Sequence, residues 1–168
     1  MEFQELIDRR YSVRAFKDMP VEKEKLDAIL EVARIAPTAG NRQPQRIMAV
    51  KDKENLLKID LCTKSRYGAP LVLIICYEKD ACWVRPVDGE HSGQVDASII
   101  TTYMMLRATE LGLGSTWVLH FDPVKTKEEF LIPSNLTPVS LLILGYASDT
   151  ATPSEKHSVR MKIDEMMI

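Results

Sequence analysis

Arg9, Arg10 and Arg14, with Ser12 among them, put three guanidinium groups and a hydroxyl inside six residues. Such a set suits a dianionic phosphate, because a guanidinium presents a planar fork of donors that engages phosphate oxygens in pairs. Each charge-assisted hydrogen bond of this kind contributes about 1.5–3 kcal/mol. Side chains alternate along an extended segment, so Arg10, Ser12 and Arg14 would point to one side. Read alone, the same residues equally describe a solvated basic turn after a short helix. A second stretch, Pro37-Thr38-Ala39-Gly40-Asn41-Arg42-Gln43-Pro44, is also rich in donors and acceptors. Its prolines, glycine and asparagine make it a loop or a tight turn. An Asn or Gln amide offers donor and acceptor together, which complements a ring edge alternating N–H and C=O. The plain alternative is that Asn41 closes its own turn.

The elements that would position these groups are legible from periodicity. Phe3, Leu6 and Ile7 fit a short amphipathic helix over residues 2–9, ending at the arginine cluster. Pro20-Val21-Glu22 has the composition of a helix start, with proline early and acids in the first turn. Leu26, Ile29, Leu30 and Ala33 make its apolar stripe, and Pro37 ends it. A strand is expected over 47–50 and a helix over 53–60. The continuous apolar run Leu71–Tyr77 predicts a strand buried on both faces. Residues 79–93 read as a flexible surface loop holding Trp83, which is either a loop anchor or a surface for stacking a substrate. Residues 94–111 are apolar almost all round and predict a helix buried in a core or a subunit interface, stopped by Gly112. Strands are expected over 115–119 and 140–144, with a helix between them opened by Asp122-Pro123. The tail beyond Ala147 is polar and then carries Ile163, Met166 and Met167, an amphipathic piece that would be loose on one chain alone.

Helices first, then strands and helices without a regular alternating repeat, indicate an α+β fold with a mostly antiparallel sheet. A length of 168 residues predicts a single domain spanning 1–168. With 22 basic and 24 acidic residues the net charge is −2, so composition gives no sign of nucleic-acid binding, and the basic cluster favours a small anion. No apolar run approaches a membrane span. Cys62, Cys76 and Cys82 are scattered, His91, His120 and His157 have no partner at metal-ligand spacing, and no metal is expected. With no leader pattern at Met1, a reducing, cytoplasmic setting is the expectation. No Gly-x-Gly-x-x-Gly follows a strand and there is no P-loop, which argues against a Rossmann nucleotide domain.

Taken in order, Arg10-x-Ser12-x-Arg14, Pro37-Thr38-x-x-Asn41-x-Gln43-Pro44, Glu110-Leu111-Gly112-Leu113-Gly114-Ser115 and Leu144-Gly145-Tyr146 resemble the nitroreductase family of FMN-dependent oxidoreductases in its compact form. The resemblance runs from about residue 3 to about residue 160, and its specificity lies in the ordered set. It implies a nitroreductase-like fold, an intertwined homodimer and two FMN sites at the dimer interface. Electrons would pass from NAD(P)H to a small-molecule acceptor such as a nitroaromatic or quinone, in two half-reactions. The alternative within the same resemblance is a flavin carrier or sensor without turnover; another phosphate ligand held by the arginines is a third reading.

Residue by residue, the resemblance assigns Arg10, Ser12 and Arg14, with the backbone of Tyr11, to the ribityl phosphate and the pyrimidine edge of the ring. Arg14 is the candidate for positive charge near N1–C2, where charge develops. Asn41 would contact the ring from the partner chain, with Pro37, Thr38 and Ala39 as the wall beside it and Gln43 near the same pocket. A backbone amide at Leu119-His120 would approach N5. Relatives often carry glycine at one of these two positions, so His120 is a departure. Lys156 and Arg160 lie where the family places a basic residue on the phosphate, and Arg160 is the favoured one. No side chain is assigned a nucleophilic or acid–base role, since the cofactor carries the hydride chemistry.

Overall fold

The computed structural model describes residues 1–168. The chain runs α1 (Phe3–Arg9), α2 (Lys23–Ile35), β1 (Gln45–Val50), α3 (Lys53–Cys62) and β2 (Leu71–Glu78). It continues through α4 (Gly93–Glu110), β3 (Gly114–Val118), α5 (Pro123–Glu129) and β4 (Leu136–Gly145), then a tail with two short 3-10 turns. The strands form one sheet in the order β1-β2-β4-β3, and every pairing is antiparallel. No helix is long and apolar enough to cross a membrane.

The period of two along a strand explains why β2 is apolar without interruption. Leu71, Leu73 and Ile75 point into one core beside α2 and α4. Val72, Ile74 and Cys76 point into a second core beside α3 and the segment around Ile132. β4 splits the same way, with Leu142 and Leu144 in the first core and Leu141 and Ile143 in the second. Burial against a water-excluding environment also pushes the Cys76 thiol up to about 11. It is a core side chain and no nucleophile.

Several boundaries differ from the sequence expectations, each for a physical reason. α2 opens at Lys23, three residues past Pro20, and Glu22 does not cap it. The Glu22 carboxylate instead accepts the Tyr146 hydroxyl at 2.8 Å, joining the start of α2 to the end of β4. β3 stops at Val118, so Leu119 lies outside it. β4 is longer than the expected 140–144 and includes Pro138, next to a bulge at Val139 that faces the Ile75–Cys76 step of β2. Residues 79–92 carry local pairing of their own: a bridge joins Val84 to His91, and Ser92 N–H donates to Trp83 O at 3.0 Å. α4 is not buried all round, because Val95 is 62% and Tyr103 41% exposed. The piece holding Ile163, Met166 and Met167 forms no helix beyond a 3-10 turn, and all three side chains are exposed.

Two glycines set the turn from α4 into β3. Gly112 has φ +78°, the left-handed geometry of a helix C-terminal stop. Gly114 is needed for space: a Cβ there would lie 2.7 Å from Cγ2 of Val13. Val13 cannot easily give way, because it is β-branched and its N–H is fixed to Ser115 O at 3.0 Å. Gly114→Ala is therefore expected to lower stability by about 1–3 kcal/mol through overpacking. Chemical denaturation checks this, and an unchanged midpoint would show that the β3 entrance is slack.

Candidate functional site

The arginine cluster lies where α1 gives way to extended chain. Arg10 follows the last helical residue with φ −67° and ψ 123°. The next residues run beside β3: Ser12 pairs with Ser115 in a parallel bridge, and the Thr116 hydroxyl donates to Val13 O. Val13 turns inward and is 2% exposed. Downstream, Lys17 N–H donates to Tyr146 O at 2.8 Å and Ser148 N–H to Ala15 O at 2.9 Å. These bonds fix the chain after β4 against the cluster, and the tail then crosses back over it. The Tyr11 hydroxyl reaches Ala151 O at 3.5 Å, and the Tyr11 ring meets His157 edge-on at 6.2 Å.

The result is a depression of about 280 Å³ lined by Arg10, Tyr11, Ser12, Arg14, Ser154, Lys156, His157 and Arg160. Four of these are cations and none is acidic. Arg10, Arg14, Lys156 and Arg160 take part in none of the chain's ion pairs. Burial, and then the like charge of Arg160, hold the Arg10 guanidinium below its ordinary pKa. Four cations gathered without a carboxylate make the depression favourable for an anion. The donors, guanidinium, ammonium and hydroxyl, match a phosphate. A smaller depression of about 140 Å³ shares Arg10 and Tyr11 and reaches Ser115, whose buried hydroxyl has no hydrogen-bond partner. The donor set therefore fits the phosphate end of a flavin nucleotide.

The other residues assigned by resemblance lie elsewhere on the chain. Pro37, Thr38, Ala39, Asn41 and Gln43 sit in the loop between α2 and β1 and do not line the Arg10 depression. Asn41 and Gln43 are exposed and left-handed, with φ of 53° and 51°. Leu119 and His120 follow β3. Leu119 is 64% exposed, and His120 lines a separate depression with Cys62, Thr63 and Phe121. The His120 carbonyl accepts the Thr63 hydroxyl at 2.7 Å. β3 joins this end to the arginine end, and four residues of extended chain span about 13 Å. Ser154 and His157 were not singled out from sequence. Their signal was weak, because Ser154 reads as the start of a turn, and its hydroxyl does accept Lys156 N–H at 3.3 Å.

With this geometry in place, comparison with known proteins gives a consistent result. The family model described as the nitroreductase family matches residues 7–78 and 60–146. A crystal structure of a nitroreductase family protein from Clostridium difficile 630 is 46% identical, with TM-score 0.94, covering 100% of this chain and 98% of that one. A second, an FMN-dependent nitroreductase from Clostridium difficile R20291, is 28% identical with TM-score 0.76, covering 94% and 97%. A Bacillus subtilis (strain 168) protein named FMN reductase (NAD(P)H) is 30% identical over 162 residues, 86% of this chain and 65% of the relative. Fold and sequence agree that the chain belongs to the nitroreductase family.

Proposed function

We propose that this chain is an FMN-dependent oxidoreductase that passes electrons from NAD(P)H to a small acceptor such as a nitroaromatic or quinone. The observation that carries the reading is the depression where Arg10, Arg14, Lys156 and Arg160 converge without a carboxylate. The FMN-dependent and NAD(P)H-named relatives support the identity of cofactor and donor. FMN, when bound, supplies hydride acceptance and donation at its ring. The chain supplies grip and orientation. Arg10, Ser12, Lys156 and Arg160 hold the phosphate, with the Tyr11 backbone beside it. Arg14 would supply positive charge to the pyrimidine edge of the bound ring, and the backbone at Leu119-His120 would serve its reacting side.

The working unit is a homodimer, each copy one domain over 1–168. Two features support this. Val95, Ile99 and Tyr103 recur every fourth residue on α4 and form a partly open apolar stripe. The loop with Pro37, Thr38, Ala39, Asn41 and Gln43 lies away from its own arginine depression, as a loop serving the other copy would. The cytoplasm is the setting most compatible with three free buried thiols.

Purified protein is expected to be yellow, to be bleached by NAD(P)H, and to give parallel double-reciprocal lines with nitroaromatic or quinone acceptors. Yellow protein that NAD(P)H does not bleach would identify a carrier or sensor instead. Colourless protein that FMN fails to stabilise thermally would remove the flavin reading altogether.

A further inference from the structure

Asp96 is a carboxylate in the first turn of α4, 1% exposed, with no cation paired to it. Both its oxygens are in use. Oδ1 accepts the backbone N–H of Ala39 at 2.9 Å, and Oδ2 accepts the Ser92 hydroxyl at 2.7 Å. A buried carboxylate is tolerated when donors satisfy it, and the N-terminal end of an 18-residue helix adds favourable dipole. The bond runs from the first turn of α4 to the loop between α2 and β1, 57 residues apart in sequence.

The loop it holds is unusual. Gly40, Asn41 and Gln43 are all left-handed, which for residues with a Cβ is a sparsely populated conformation. Within the loop, Asn41 N–H donates to Thr38 O at 3.0 Å and Gln43 N–H to the Thr38 hydroxyl at 3.1 Å. These bonds shape the loop but do not anchor it. Among residues 37–42, the Ala39 N–H to Asp96 bond is the one hydrogen bond to another element of the fold. Trp83 completes the clamp by packing over Gly40, where a Cβ would lie 3.4 Å from Trp83 Cδ1.

We infer that Asp96 is a positioning residue: through the Ala39 N–H it fixes the left-handed turn that presents Asn41 to the flavin ring in the partner's site. The inference rests on the flavin reading above and adds a residue that touches neither cofactor nor substrate. The contact it controls is with the ring. Its loss is therefore felt equally by FMN and by riboflavin, which has the ring without the phosphate.

The test titrates the full chain with riboflavin and with FMN by fluorescence quenching and records the visible spectrum of the bound flavin. Asp96→Ala is expected to weaken both ligands by a common factor of about tenfold, the scale of one lost hydrogen bond, and to shift the bound spectrum. Asp96→Asn keeps an acceptor for Ala39 N–H and is expected to stay within about threefold of the parent. Arg160→Ala, in contrast, weakens FMN and spares riboflavin. If Asp96→Ala does not fold, Ala39→Pro deletes the donor alone. Thr38 is already extended, at φ −134° and ψ 154°, as a residue before proline must be. Ala39→Pro is expected to reproduce the riboflavin loss. A folded Asp96→Ala or Ala39→Pro chain with parental riboflavin affinity overturns the inference alone, as does an Asn variant as weak as the alanine one. A parent chain that binds neither flavin overturns the flavin reading, and this inference with it.

Discussion

Replacing Arg10 with alanine is expected to lower FMN affinity by about 100-fold, equivalent to about 2.7 kcal/mol, while leaving the flavin-free chain at least as stable as before. The two effects have opposite sign because Arg10 has no counter-ion of its own. Its guanidinium is half-buried, lies beside Arg160, and has its pKa lowered first by burial and then by that like charge. A base whose folded pKa is depressed penalises its charged form in the folded state. The penalty is present at every pH below the folded value, which covers the whole working range, and it vanishes when the charged group is removed. Phosphate reverses the balance by supplying the missing anion. Arg10→Lys keeps the charge but loses the fork, and an intermediate loss of about tenfold is expected. Fluorescence titration gives the affinities, and melting with and without FMN gives the two stabilities. Equal FMN affinity in the parent and Arg10→Ala chains would remove Arg10 from the site. A large fall in flavin-free melting temperature would show that Arg10 is structural.

The same residues show how far sequence reasoning reaches. The alternation that puts Arg10, Ser12 and Arg14 on one side needs nothing beyond extended backbone, and the three do line one depression. The face-splitting of β2 is equally local, since a run of apolar residues at period two has to bury both sides. What could not be read is convergence over distance. Lys156 and Arg160 reach the cluster because bonds from Ala15 and Lys17 to Ser148 and Tyr146 turn the tail back, and no spacing rule encodes that path. Ser154 and His157 arrive with them. Asp96 was hidden for another reason: one acid in an apolar helix reads as a blemish until its partner N–H, at Ala39, is known. Glu22 shows the same limit, since its carboxylate accepts the hydroxyl of Tyr146, a partner 124 residues away that no local pattern encodes. Composition also could not separate a core helix from an interface helix. Both are apolar all round, and the difference lies in what a second molecule covers.

That ambiguity in α4 leads to the prediction with the largest expected effect. Val95 and Tyr103 are 62% and 41% exposed on a single chain, so lysine at both positions disturbs the isolated fold little. If the stripe packs against its copy, the same lysines are taken out of water opposite an apolar surface, at an effective penalty of several kcal/mol per ion. Val95→Lys with Tyr103→Lys is therefore expected to weaken the dimer by about 1,000-fold or more, which at 1.4 kcal/mol per tenfold requires only about 4 kcal/mol. Sedimentation at micromolar concentration should then show a species near the 19.1 kDa chain mass, with an unchanged far-ultraviolet spectrum. Flavin should be lost in the same step, since the loop carrying Asn41 does not line the depression formed by its own Arg10. The two readouts separate two ideas. A double variant that stays dimeric shows that association uses another face. A monomer that keeps flavin at parental affinity shows that each chain completes its own site, and the loop at 37–43 then has no part in holding the cofactor.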